Sequence, residues 1–140
     1  MSEVLFLPVK PKWADVIMSG KKTLELRKRE PKHELPMMAI VYASSPRCEI
    51  VGAVEWYGTV CQGVVAFSDH DLGRACVSRE QLRKYYSKKT WAYGLCLRNS
   101  VTFTKPIPLE TMRTAWLISP PQQWRYIGWE TYSDIVRFGQ

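Results

Sequence analysis

GKKTLELRKREPK, residues 20–32, is the stretch on which both the fold and the candidate site turn. Six of its residues are Lys or Arg, and they follow directly on a helical pattern that Gly20 closes. From Leu24 to Arg29 the pattern alternates, with Leu24 and Leu26 on one face and Thr23, Glu25, Arg27 and Arg29 on the other. Such period-two alternation predicts a half-buried strand whose second face carries charge. Residues two apart on a strand share a face, so Glu25 and Arg27 are placed to pair with neighbours or with a ligand. Lys22, at the entrance of the strand, reaches the same spot. A lysine, a carboxylate and a guanidinium converging beside a glycine turn make a site for an anionic or polar planar ligand. A solvated charged hairpin is the bland reading of the same residues.

On the N-terminal side, Val4 to Pro8 (VLFLP) reads as a short buried strand. Pro11 then opens a helix with Trp13, Val16 and Ile17 on one face, and Gly20 ends it, the usual asymmetry of proline at the start and glycine past the end. On the C-terminal side, Met37 to Ala43 is a continuous apolar strand broken by Ser44-Ser45-Pro46. Glu49 to Val60 is a long strand whose internal Gly52 and Gly58 mark bends or bulges of a curled sheet. Ser78 caps a helix running to Tyr86. Trp91 to Leu97 and Val101 to Ile107 read as two strands joined at Arg98-Asn99-Ser100, and the aromatic-rich segment 120–140 has no clear period. Short strands with interrupting helices and internal glycines predict an α+β chain built on a small, mixed β-barrel.

At 140 residues, 46% hydrophobic and 24% charged, the chain is the size of a single domain, 1–140, with enough apolar content for a core. No apolar stretch approaches the ~18 residues of a membrane span, and MSEVLFLPVK lacks the pattern of a secretory signal. The expectation is a soluble cytoplasmic protein with no membrane partner. Cys48, Cys61, Cys76 and Cys96 form no CxxC pair and only His33 and His70 accompany them, so neither a structural zinc nor any other cofactor is expected, and the thiols should be reduced. Twenty Lys and Arg against thirteen Asp and Glu give a net charge of +7. That excess favours polyanionic partners, nucleic acid first among them.

Taken in order along the chain, LPVKPKWADVIMSGKKTLELRKREP, VYASSP at 41–46, IVGAVE at 50–55, WAYGLCL, FTKPIPLETMR and PPQQWRYI resemble ASCH domains, members of the PUA-like superfamily. The family signature GxKxxExR is met by Gly20, Lys22, Glu25 and Arg27, and the resemblance runs over about residues 4–127. It implies a partly open PUA-like β-barrel with flanking short helices and a cleft between the barrel and the first helix. It implies RNA as the preferred partner, with a modified nucleobase or nucleotide as a further ligand class. Protein partners are unknown.

A hydrolase acting on a modified nucleoside or on RNA is the alternative that the resemblance carries. The amidohydrolase members of the family use a lysine, a threonine and a glutamate. Lys22 matches the lysine and is the catalytic candidate, but Glu25 stands where the threonine would be, and Thr23 should face away. In the binding reading, Lys22 and Arg27 contact phosphate or a base acceptor, Arg27 with a two-toothed fork, while Glu25 orients Arg27 or accepts from an exocyclic amine. Gly20 and Lys21 complete the turn, and Ser44 and Ser45 stand at the cleft mouth. Trp56 and Tyr57 are exposed rings for base stacking, with Trp124-Arg125-Tyr126 a further group of the same kind. Arg79, Arg83, Lys84, Lys88 and Lys89 form a second basic group that would extend a phosphate track.

Overall fold

VLFL, residues 4–7, is apolar without alternation, which suits a strand covered on both faces. In the computed structural model, which describes residues 3–140, this segment is β1 (Glu3–Val9), and Val4, Leu5, Phe6 and Leu7 are all fully buried. Leu5 and Leu7 face a core cluster that includes Ala14, Ile17, Trp56 and Leu97. Val4 and Phe6 face a second cluster with Ile40, Ile50, Met112 and Ile135. Met1, which opens the segment expected to lack a secretory signal, and Ser2 lie outside the described residues.

The remaining strands and α-helices are α1 (Pro11–Met18), β2 (Leu24–Arg27), β3 (Met37–Ala43), β4 (Glu49–Gly63), α2 (Asp69–Ala75), α3 (Arg79–Tyr86), β5 (Trp91–Pro108), α4 (Leu109–Trp116), β6 (Arg125–Gly128) and α5 (Trp129–Gly139), with a 3-10 turn at Val64–Ala66. The strands form one sheet in the order β2-β5-β4-β3-β1-β6. β1 and β3 are parallel, with α1 in the connection between them, and the other pairs are antiparallel. The chain is therefore α+β, as expected. The barrel is not closed: β2 and β6, four residues each, are the two edges of the sheet.

The expected curl is present. The β4–β5 register shifts beside Gly52 and again beside Gly58. At Gly52 a Cβ would collide with the Val101 carbonyl and the Met18 sulfur, so only glycine lets the strand and α1 approach this closely. Gly20, with φ +84°, takes the left-handed turn that releases the chain from α1 into β2. Ser78 caps α3 reciprocally with Gln81 in a capping box.

Three expectations change. Arg98-Asn99-Ser100 does not separate two strands but is a bend inside one, with Asn99 at φ 55°, and both halves of β5 pair with the same partner, Leu97 opposite Trp56 and Val101 opposite Ala53. The charged face of β2 is not open to solvent, since α1, α3 and the segment around Pro120 close over it and leave Glu25 only 6% exposed. Trp56 is not an exposed ring. It lies mid-sheet between Met37 and Leu97, is 1% exposed, and donates its indole N–H to the Gly58 carbonyl at 2.9 Å.

Candidate ligand cleft beside the first helix

The start of α1 and the strand β2 are brought face to face by the tight Ser19–Thr23 turn, in which the Lys22 amide donates to the Val16 carbonyl at 2.9 Å. Between them opens a cleft of about 910 Å³. Its walls are the Lys10–Trp13 end of α1, Gln81, Lys84 and Tyr85 of α3, the Ser44-Ser45 turn after β3, and the Pro120–Gln122 segment. Lys22, Glu25 and Arg27 form its floor.

The floor is a single charged network. Arg27 Nε and Nη2 both donate to Glu25 Oε2, at 3.1 and 2.7 Å. Nη2 also donates to the Pro8 carbonyl at 2.7 Å, and Nη1 to the Gln123 carbonyl at 3.2 Å. Four of the five guanidinium hydrogens thus have partners within the protein. Lys22 Nζ donates to the Ala75 carbonyl at the end of α2 and stands 3.8 Å from Glu25 Oε1. Burial pushes the Lys22 ammonium below the ordinary lysine range, and the Glu25 carboxylate opposes that shift. Glu25 Oε1 is left as the carboxylate oxygen without a hydrogen bond from Arg27.

Cations and aromatic rings surround this floor. Lys12 and Lys22 each place their ammonium 4.5 Å from the Trp13 ring centroid. Lys28 stands 4.9 Å from the ring of Tyr85, whose hydroxyl donates to the Leu26 carbonyl at 3.4 Å. Five cationic side chains, Lys10, Lys12, Lys22, Arg27 and Lys84, line the cleft with one carboxylate, Glu25. On the far wall Tyr42, 3% exposed and in contact with Cys48, has its hydroxyl pushed up to about 12, chiefly by burial. The cleft thus offers one buried carboxylate oxygen and ammonium side by side, flat apolar walls, and a cationic rim. That combination suits a planar polar group attached to an anion.

The fold brings Lys22, Glu25, Arg27, Ser44 and Ser45 of the expected site together around one cavity. Gly20 and Lys21 lie on the turn outside it, Trp56 is in the core, and Tyr57 stands on another part of the surface beneath Arg98. Thr23 does face away from the cleft, its hydroxyl accepting from Arg74 Nε at 3.3 Å. Within the second basic group, Lys84 reaches the cleft, whereas Arg79 is engaged by the Phe67 carbonyl at 2.9 Å and Asp69 at 3.1 Å. Lys10, Lys12 and Trp13 line the cleft as well, beyond the residues expected there. KPKW carries the signal for them, since Lys10 and Lys12 flank the proline that opens α1. Tyr85 and Gln122 carry no local signal. Among the described residues, no three His, Cys, Asp or Glu side chains gather to hold a metal ion, and no helix is long and apolar enough to cross a membrane.

Comparison with known proteins gives a consistent picture. The ASCH domain model matches residues 7–106. A relative from Zymomonas mobilis, described as an ASCH domain-containing ribonuclease, is 30% identical over 128 residues, which is 90% of this chain and 85% of that protein. The crystal structure of an ASCH protein from Zymomonas mobilis superposes with a TM-score of 0.91 at 25% identity, over 98% of this chain and 96% of that one. An Agrobacterium tumefaciens protein shares the fold alone, with a TM-score of 0.62 at 13% identity over 98% and 92% of the two chains.

Proposed function

Because the chain belongs to the ASCH domain family, we propose that it acts on RNA, holding a single-stranded segment in the cleft between α1 and β2. The observation that carries this reading is the buried Lys22–Glu25–Arg27 network lying beneath Trp13 and Tyr85 inside a cationic rim. Unpaired bases are held by stacking on aromatic rings and by hydrogen bonds to their edges, and both kinds of group converge here. Glu25 Oε1 accepts from an amino or imino group of the base, and Lys22 donates to the acceptor beside it. Arg27 orients Glu25 rather than gripping the ligand. Lys10, Lys12 and Lys84 neutralise phosphates at the mouth, so affinity falls as salt rises.

Labelled single-stranded RNA titrated at low and moderate salt tests the reading. Binding at low salt that weakens roughly tenfold or more on a fourfold rise in salt is expected for a few phosphate contacts. No binding at low salt contradicts it.

RNA cleavage is the second reading, favoured by the relative described as a ribonuclease. Strand cleavage needs one group to take a proton from the 2′-hydroxyl and another to return one to the leaving oxygen. Burial lowers the proton affinity of Lys22, and this makes it the group of the cleft to which a proton-transfer role is assigned. Turnover of RNA that is abolished in Lys22→Ala supports this reading, and turnover that survives the substitution removes it.

A further inference from the structure

A second, smaller hollow of about 240 Å³ lies on the other side of the signature turn. Gly20, Lys22 and Thr23 form one wall, and Arg98, Asn99 and Ser100 at the bend of β5 form the other. Lys22 lines this hollow and the main cleft, so the turn at residues 20–23 is the partition between them. The bend is held in place: Asn99 takes a left-handed φ of 55°, and the Ser100 hydroxyl donates to the Met18 carbonyl at 3.1 Å.

Beside the hollow stands a flat plate that the main cleft does not use. The Arg98 guanidinium lies 4.4 Å from the centroid of the Tyr57 ring and is fixed by Glu55 at 2.6 Å. Tyr57 remains 37% exposed even with that cover. Lys21, within the turn that separates the two cavities, is exposed and makes no ion pair among the described residues. A solvent-exposed ring and a fixed guanidinium plane beside a hollow, with an exposed lysine on the adjoining turn, are the parts from which sequence-tolerant base-stacking subsites are made.

We propose that the Tyr57–Arg98 plate and Lys21 form a second nucleotide subsite, which takes the neighbour of the nucleotide held in the main cleft on the same RNA strand. The subsite rests on the RNA reading given above. The strand crosses the partition with a phosphate at Lys21, and the next base stacks on the Tyr57–Arg98 plate. Such an arrangement makes affinity depend on strand length. A mononucleotide fills only the main cleft, and a longer strand also gains the stack.

Binding of a ribonucleoside monophosphate and of a short single-stranded oligoribonucleotide, to wild type, Tyr57→Leu and Tyr57→Trp, tests the subsite. Tyr57→Leu is expected to weaken the oligonucleotide roughly 5- to 150-fold, the value of one stacked base, while leaving the mononucleotide unchanged. Tyr57→Trp keeps a ring and is expected to retain oligonucleotide binding, which separates stacking from damage to β4. Oligonucleotide binding that is equal in wild type and Tyr57→Leu overturns the subsite and leaves the main cleft standing. Wild type that binds no RNA of any length overturns both.

Discussion

Arg27 commits two of its N–H groups to one oxygen of Glu25, at 3.1 and 2.7 Å, and so leaves the other oxygen turned toward Lys22 at 3.8 Å. The carboxylate is the centre of a buried network with a cation on each side, and its charge cannot be removed cheaply. Taking one partner from a buried ion pair costs about 3–5 kcal/mol, because the charge left behind has neither water nor counter-ion. Glu25→Gln keeps the shape and is expected to lower the urea midpoint by a loss in that range. A loss under about 0.5 kcal/mol, the usual size of a surface effect, contradicts the buried network.

Arg27→Lys separates the strut from the ligand contact. Lysine keeps the charge but cannot reach Glu25, the Pro8 carbonyl and the Gln123 carbonyl together. Those bonds tie β2 to the end of β1 and to the segment before β6. Loss of one or two charge-assisted hydrogen bonds is expected to cost about 2–4 kcal/mol in thermal or chemical unfolding. An unchanged melting temperature with weakened RNA binding would make Arg27 a ligand contact instead.

The pH dependence of stability carries the signature of Lys22. Its folded pKa lies below the ordinary 10.5, chiefly because burial penalises the charge. Below the folded pKa both states are protonated, and the cost of burying the charge is fully present. Between the folded pKa and 10.5 the unfolded chain holds more protons than the folded one, so stability rises with pH across that window. Unfolding midpoints of wild type and Lys22→Met, measured from about pH 7 to about pH 10, are expected to shift in favour of wild type as pH increases. A difference that stays flat or moves the other way contradicts a destabilised ammonium.

What the sequence made legible was the part governed by local rules. Alternation in LELR, proline and glycine around α1, and Ser78 before α3 each specify backbone over a few residues, and each element is present. The signature residues Lys22, Glu25 and Arg27 were readable as one group because a turn and a strand fix their relation. Facts set by distant chain were not readable. Whether the Glu25 face meets water depends on α3 and on Pro120–Gln122, some 60 and 95 residues away. Trp56 looked exposed because WYG mixes aromatic and turn residues, yet its place mid-sheet is decided by pairing with β3 and β5. The division into two strands at Arg98-Asn99-Ser100 fails for a related reason: a turn tripeptide can serve as a bulge when both flanks pair with one long strand.

Lys12 and Lys84 both line the cleft, on α1 and α3, and are the cations proposed to meet phosphate. Each lies at the surface, so replacing it leaves the core intact. Lys12→Ala and Lys84→Ala are each expected to weaken single-stranded RNA and to reduce the slope of log affinity against log salt by roughly one. A slope identical to wild type in both variants places the phosphate contacts elsewhere.

Whether RNA lies in the cleft between α1 and β2 is decided by photo-crosslinking. Single-stranded RNA carrying 4-thiouridine is irradiated with the protein, and the attached peptides are identified by mass spectrometry. Crosslinks are expected at Trp13 and Tyr85, two of the three aromatic rings that line the cleft. Crosslinks confined to α4 and α5, on the opposite side of the sheet, would contradict it.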